Sequence, residues 1–109
     1  MRPGAEGGVV GVADLAVARA GDRARITTFA LGSCIGLTVY DPVGRVGGLL
    51  HYMLPQPGPD IDPAELKVAM YASTGVPALF RQLELLGLRR ERAVVCVAGG
   101  AEVLNDTAV

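Results

Sequence analysis

The sequence predicts a single α/β domain in which a mixed, mainly antiparallel sheet carries a helix packed on one face. Runs of β-branched and apolar residues come before position 55, a helical period follows at 78–86, and a last apolar run covers 93–98. The chain of 109 residues has room for one domain, and its hydrophobic content of 50% suits a packed core.

The first half of the chain predicts strands that are separated by turns. Residues 1–8 are rich in glycine and are expected to form a flexible lead-in to a domain that spans 9–109. The β-branched composition and loose alternation that follow are typical of strands. Four strands are predicted before the proline-rich surface loop that begins at Pro55, and they cover 9–18, 25–31, 35–40 and 46–54.

The second half of the chain predicts one helix and one strand. Leu79, Leu83 and Leu86 share a helical face, and Gly87 suits the end of the helix, whose start is left open between Tyr71 and Pro77. The run 93–98 is continuously apolar, which is typical of a strand buried on both faces. Its cysteine, Cys96, is therefore expected to be an inert core thiol.

The end of the chain carries two further signals. Gly99-Gly100 predicts a tight turn rather than a phosphate loop, because no Lys, Ser or Thr follows at nucleotide-loop spacing. The segment 104–109 resembles the entry to another element, so the domain is expected to be incomplete at its C-terminal end.

Composition and charge narrow the function classes. Ten basic and eleven acidic residues give a net charge of −1, which favours neither nucleic acid nor an anionic membrane as a partner. No apolar run approaches the ~20 residues of a membrane-spanning helix, and the first residues lack the apolar core of a signal peptide. Two cysteines are too few for a disulfide scaffold, so a reducing cytoplasm is expected. Asp60, Asp62 and Glu65 predict a solvated helix entry rather than a metal site, since no histidine is near.

A cysteine and a histidine are predicted to meet on one hairpin. The segment Asp41-Pro42-Val43-Gly44 has the residues that a type I turn favours. If Asp41 and Gly44 flank the turn, Cys34 lies directly across the ladder from His51, with Cβ atoms about 4.5–5.5 Å apart. A bulge at Gly44 would instead shift the pairing by one residue, and both registers stay open.

Cysteine and histidine together suit nucleophilic catalysis, because an imidazole can take the proton of a thiol and leave a reactive thiolate. Gly32 permits a sharp turn, and the N–H groups of Ser33 and Cys34 can then face a developing oxyanion. His51 is the one histidine in the sequence. The alternative is purely structural, since cysteines and histidines in apolar strands are more often simply buried.

Three spaced motifs resemble the CheD family, the chemoreceptor glutamine deamidases of bacterial and archaeal chemotaxis. They are TFALGSC at 28–34, YDP at 40–42 and GGLLHYMLP at 47–55. The resemblance implies a protein-glutamine glutaminase that converts glutamine side chains of methyl-accepting chemotaxis receptors to glutamate and releases ammonia. It implies Cys34 as nucleophile, His51 as base and Thr28 as a hydroxyl that orients the imidazole or the substrate amide. It implies no cofactor and no metal, and it suggests the phosphatase CheC as a further partner.

Two other functions are compatible with the same residues. A non-catalytic chemotaxis adaptor would bind receptors or CheC through this fold without using the thiol. A different thiol hydrolase, such as a toxin-type deamidase or a receptor methylesterase, would use the same acyl-enzyme chemistry, which serves an ester as readily as an amide.

Overall fold

The computed structural model describes residues 2–3, 8–19 and 25–101. Within these residues, a five-stranded sheet, a two-stranded sheet and one α-helix form the architecture, together with three short 3-10 helices at Pro63–Glu65, Val68–Met70 and Arg90–Arg92. The predicted α/β class is confirmed. In chain order the strands are β1 (Arg2–Pro3), β2 (Gly8–Val9), β3 (Asp14–Arg19), β4 (Ile26–Thr27), β5 (Ile35–Asp41), β6 (Val46–Tyr52) and β7 (Val94–Gly99), and the helix α1 covers Ala72–Leu85.

The larger sheet has the strand order β1-β3-β6-β5-β7. Its three longest ladders, β3–β6, β6–β5 and β5–β7, are antiparallel, and only the short β1–β3 ladder is parallel. The sheet is therefore mixed and mainly antiparallel, as the sequence predicts. Strands β2 and β4 form a separate parallel pair. Within the described residues, no helix is both long and apolar enough to cross a membrane.

The main core lies between the sheet and α1. Alternate residues of β3, β5 and β6 point toward the helix, and Leu50 of β6 is completely buried with Leu79 and Leu83 of α1. Helix and strand approach closely at Gly75, where a Cβ would lie 3.1 Å from the Leu50 methyl groups. The helix start that the sequence leaves open is Ala72, so Pro77 lies inside the helix.

The opposite face of the sheet carries a second, smaller core. Val10, Ala16 and Leu49 are buried there, with Ile26 of β4 packed against them. The β2–β4 pair thus forms a third layer on this face. Because side chains alternate along β6, His51 points to the same side as Leu49, into the space below this layer.

Two predicted strands are shorter than the sequence suggests. The segment 9–18 is broken because Ala13 adopts a left-handed conformation (φ 60°) and its N–H donates to the His51 carbonyl. The segment 25–31 keeps only Ile26–Thr27 as strand, and Ala30 is again left-handed, with φ 54°. At Ala13 a contact with distant backbone overrides the local strand propensity, and after Thr27 the strand does not continue to the left-handed Ala30.

The prediction that β7 is buried on both faces is wrong. All six of its residues are exposed, Cys96 included. In the described part of the chain β7 pairs on one side only, with β5, while α1 packs over β3 and β6. An apolar run reports the hydrophobicity of a strand but not whether another element covers it. Cys96 is therefore not a core thiol.

Two predicted regions at the chain ends fall mostly or wholly outside the described residues. Of the lead-in 1–8, only Arg2–Pro3 and Gly8 are described, and they belong to β1 and β2. The segment 104–109 lies outside the described residues altogether.

The hairpin between β5 and β6 closes differently from the prediction. Asp41 pairs with Val46, which leaves residues 42–45 as the loop, and the left-handed Arg45 (φ 57°) donates its N–H to the Asp41 carbonyl. The partner of His51 is consequently Gly36 and not Cys34. The register differs from the predicted one by two residues, which preserves the face to which each side chain points.

The carboxylate of Asp41 explains the longer loop. It is fully buried and accepts the N–H groups of Val43 and Gly44, both at 3.0 Å, and the N–H of Arg89 at 3.0 Å. The Arg92 guanidinium binds it through two of its three nitrogens, Nη2 at 2.7 Å and Nε at 3.0 Å. These bonds, led by that of Arg92, hold the pKa of the Asp41 carboxyl well below its usual range.

Replacing Asp41 by Asn should lower Tm by about 5–10 °C, because it leaves the guanidinium of Arg92 without its charge partner. A carboxyl whose pKa is lower in the folded state stabilises the fold at pH values above its unfolded pKa of about 4. The difference in the free energy of unfolding between the two proteins should therefore be constant above about pH 5 and shrink as the pH falls below about 4. Urea unfolding at several pH values measures it. Asp60→Asn, in an exposed loop, is the matched control and should change neither quantity.

Candidate active site

Cys34 ends a tight turn that leads into β5. Its N–H donates to the Leu31 carbonyl at 2.7 Å, and Gly32, the second residue of the turn, has a left-handed backbone with φ 51°. The cysteine is half-buried and not in a disulfide. The turn therefore presents a reduced thiol at the end of a strand, at a bend that glycine favours.

The amide groups of this turn differ in availability. The predicted use of the Cys34 N–H toward an oxyanion is wrong, because that group is already bound to Leu31. The N–H groups of Gly32 and Ser33 donate to no acceptor within the described residues. A Cβ on Gly32 would meet open space, so another molecule can approach the backbone there. Two adjacent N–H donors thus remain next to the thiol.

His51 is completely buried between the large sheet and the β2–β4 layer. Its Nδ1 lies 2.8 Å from the hydroxyl oxygen of Thr28, and that hydroxyl donates to the carbonyl of Val10 at 2.7 Å. A carbonyl can only accept and a hydroxyl has one proton, so Nδ1 must be the donor to Thr28. The neutral imidazole therefore carries its proton on Nδ1 and a lone pair on Nε2.

The Nε2 atom of His51 is buried and has no hydrogen-bond partner in the described part of the chain. An orphaned polar atom of this kind costs free energy, and in native proteins it calls for an explanation. A role as proton acceptor is such an explanation, because the lone pair is available to take a proton from a thiol or a water.

Cys34 lies just outside the β5–β6 ladder, near the end that holds His51. Gly36 is the partner of His51, the ladder ends at Ile35 with Tyr52, and Cys34 precedes Ile35 in the chain. Diagonal neighbours in an antiparallel pair are about 7–8 Å apart at Cα, which gives the scale of the separation between Cys34 and His51. Gly36 contributes no side chain between them, and a Cβ there would lie 3.2 Å from Leu31 Cδ2 and 3.7 Å from Thr28 Cγ2.

Two groups around His51, Gly36 and the Val10 carbonyl, are not among the predicted site residues. Gly36 gives a detectable signal, because glycine inside a strand often marks a close approach of other groups. The Val10 carbonyl, which fixes the proton of Thr28, gives none, since every residue has such a group. Thr27, beside Thr28, belongs to β4, and among the described residues the hydroxyl that lies within hydrogen-bond distance of His51 is that of Thr28.

Of the acidic residues Asp60, Asp62 and Glu65, Asp62 has a local structural role. Asp62 caps the 3-10 helix Pro63–Glu65 by accepting the Ala64 N–H at 3.0 Å, in agreement with a helix entry. Among the described residues, no group of three or more His, Cys, Asp and Glu side chains is arranged to hold a metal ion.

The tautomer of His51 can be measured directly. Long-range ¹H–¹⁵N spectra of a chain with a single histidine should show the Nδ1-protonated form near pH 8, and Thr28→Val should shift the population toward the Nε2-protonated form that is commoner in solution. The control Thr27→Val should leave the spectrum unchanged. An Nε2-protonated pattern in the wild-type chain would contradict the hydrogen-bond assignment.

Comparison with known proteins identifies the family. The sequence model of the family described as "CheD chemotactic sensory transduction" matches residues 53–109. The chain is 50% identical over 82 residues to the probable chemoreceptor glutamine deamidase CheD 1 of Syntrophus aciditrophicus, covering 75% of this chain and 51% of that protein. It is 46% identical over 103 residues to the probable chemoreceptor glutamine deamidase CheD of Solibacter usitatus, with 93% and 59% covered.

A further relative is the chemoreceptor glutamine deamidase CheD of Bacillus licheniformis, which is 40% identical over 96 residues, with 88% of this chain and 55% of that protein covered. The chain thus spans between about half and three fifths of the length of the curated relatives that it matches. Since the family model covers more than half of the chain, the chain belongs to the CheD family.

Proposed function

We propose that this chain is a cysteine-dependent protein-glutamine deamidase, with Cys34 as nucleophile and His51 as general base. The observation that carries the proposal is the buried, unpartnered Nε2 of His51, whose lone pair is set by the Thr28–Val10 hydrogen bonds. A base needs a free lone pair and a fixed ring, and His51 has both.

The proposed substrate is a glutamine side chain of a methyl-accepting chemotaxis receptor. The support is the name of the relatives, chemoreceptor glutamine deamidase. The reaction would take place in the cytoplasm without a cofactor. CheC is proposed as a further protein partner, on the sequence resemblance alone.

In the first step, the Cys34 thiol loses its proton to Nε2 of His51 and its sulfur attacks the carbonyl carbon of the glutamine amide. The carbonyl oxygen becomes an oxyanion, which the N–H groups of Gly32 and Ser33 stabilise. The C–N bond then breaks, the imidazolium returns the proton to the leaving nitrogen, and ammonia departs. A thioester between Cys34 and the receptor side chain remains.

In the second step, water replaces ammonia. His51 takes a proton from the water, the hydroxide oxygen attacks the thioester carbon, and the same two N–H groups stabilise the second oxyanion. Collapse of this intermediate releases glutamate, and the Cys34 sulfur recovers the proton from the imidazolium. Through both steps Thr28 keeps the ring in position by accepting from Nδ1.

The direct test is mass spectrometry of a receptor cytoplasmic fragment after incubation with the chain. Cys34→Ala should lower the rate of glutamine-to-glutamate conversion by roughly 10³-fold or more, since it removes the nucleophile. Cys96→Ala, at the other and more exposed cysteine, should leave the rate unchanged.

Three outcomes would contradict the proposed cysteine-dependent deamidase. Equal conversion by wild type and Cys34→Ala would exclude Cys34 as the nucleophile. A folded wild-type chain that binds the fragment but converts no glutamine would favour the non-catalytic adaptor. Release of methanol from methylated fragments in place of ammonia would identify a methylesterase.

Thiol reactivity gives a second test that needs no receptor. Cys96 is exposed and Cys34 is half-buried, so exposure alone favours faster alkylation of Cys96 by iodoacetamide. An adjacent base reverses this order, and we expect Cys34 to react about 10-fold faster than Cys96 near neutral pH. His51→Gln should abolish the preference. A wild-type chain in which Cys96 reacts faster would exclude an activated thiol at Cys34.

A further inference from the structure

The end of β7 is bound to the turn that carries Cys34. After the last ladder pair, Ile35 with Gly99, the Gly100 N–H donates to the Cys34 carbonyl at 2.8 Å. The Ala101 N–H then donates to the Gly32 carbonyl at 2.9 Å. Residues 99–101, which we call the strap, thus bind two carbonyl groups of the turn from outside.

The bond from Ala101 fixes the direction of one particular amide. The carbonyl of Gly32 and the N–H of Ser33 belong to the same peptide unit, which is planar and trans. They therefore point in opposite directions, and holding the carbonyl toward Ala101 turns the Ser33 N–H away from the strap. The Gly32 N–H belongs to the preceding peptide unit, together with the Leu31 carbonyl. Its direction is therefore set by the bond that this carbonyl accepts from the Cys34 N–H.

Glycine is needed at the first strap position because the two backbones nearly touch. A Cβ on Gly99 would clash with the Cys34 carbonyl oxygen and lie 3.1 Å from Leu31 Cβ. Gly99 also has a φ of 96°, which L residues with side chains rarely adopt. A side chain at Gly99 would therefore push the strap away from the turn and weaken the bond to Gly32.

We infer that the strap is a positioning element for the oxyanion hole: Gly99 permits its close approach, and the Ala101 N–H orients the Ser33 amide toward the reacting carbonyl. This inference rests on the proposed function in taking Cys34 as an acyl-accepting thiol. It assigns a role to Gly99-Gly100, which the mechanism itself does not use. The strap acts on the Ser33 amide through the Gly32 carbonyl, and its other bond holds the backbone carbonyl of Cys34 rather than the thiol side chain.

Two reagents distinguish an effect on the Ser33 amide donor from an effect on the reactivity of the thiol. Acylation of a thiol by p-nitrophenyl acetate passes through a tetrahedral oxyanion, whereas alkylation by iodoacetamide is a direct displacement that forms none. In a Cys96→Ser background the full chain has Cys34 as its one thiol. The measured quantity is the ratio of the acylation rate, from the p-nitrophenolate burst, to the alkylation rate, from mass spectrometry.

Ala101→Pro removes the N–H that binds Gly32, and Gly99→Ala displaces the strap. Loss of a whole oxyanion donor lowers rates about 10²–10³-fold, so we expect a misdirected Ser33 amide to lower the acylation rate roughly 10-fold or more. The alkylation rate and its pH profile should not change. Gly87→Ala is the matched control, because Gly87 has a similar φ of 107° but a Cβ there meets nothing. It carries the same backbone strain without contact to the turn.

An unchanged ratio in Gly99→Ala would overturn the inference, as would an equal fall of both rates, which would indicate damage to the thiol or the fold. Gly99→Ala keeps the test valid if Ala101→Pro does not fold. Neither reagent involves a receptor, so the ratio can support the strap even if the receptor fragment is not converted. Conversely, wild-type deamidation with an unchanged ratio in the variants would overturn the strap and leave the proposed function intact.

Discussion

The geometry of this fold depends on the hydrogen bonds that the buried carboxylate of Asp41 accepts. It accepts hydrogen bonds from two N–H groups of the adjacent loop. It also accepts them from the backbone N–H of Arg89 and the guanidinium of Arg92, which lie 48 and 51 residues further along the chain. The loop amides set the length of the β5–β6 loop and hence the register that puts Gly36 opposite His51. The distant donors fix the segment that leads into β7, whose end reaches the Cys34 turn. One side chain thus connects the position of His51 with that of the Cys34 turn.

A second constraint is the layer formed by β2 and β4. It buries His51 completely and brings the Thr28 hydroxyl and the Val10 carbonyl to the imidazole. Burial of the ring with Nε2 unpartnered destabilises the fold, because a lost hydrogen bond to water is not replaced. Such a cost is typical of functional sites, where an atom is kept available for chemistry rather than satisfied within the protein.

Much of the framework follows from local sequence, and the departures have specific causes. The hairpin strands, the helix around Leu79 and Leu83, and the strand near 94–99 are all predictable from periodicity and turn residues. The hairpin register is not, because the turn residues do not show that the Asp41 carboxylate binds the loop amides, nor that it also binds Arg89 and Arg92 far along the chain. The exposure of β7 is not predictable either, since an apolar run does not reveal whether a helix covers it. The break at Ala13 depends on a bond to the His51 carbonyl, which local propensity cannot indicate.

The sequence by itself determines which chemical groups are available: one histidine, a cysteine after Gly32-Ser33, a threonine at 28, and the family motifs that contain them. Tertiary structure alone decides how these groups are oriented. The proton on Nδ1 of His51 depends on the Val10 carbonyl, and the direction of the Ser33 amide depends on the Ala101 N–H. Both determinants are backbone groups, which every residue possesses and no sequence pattern marks. Their effect arises from proximity, and proximity between distant segments is set only when the layers pack.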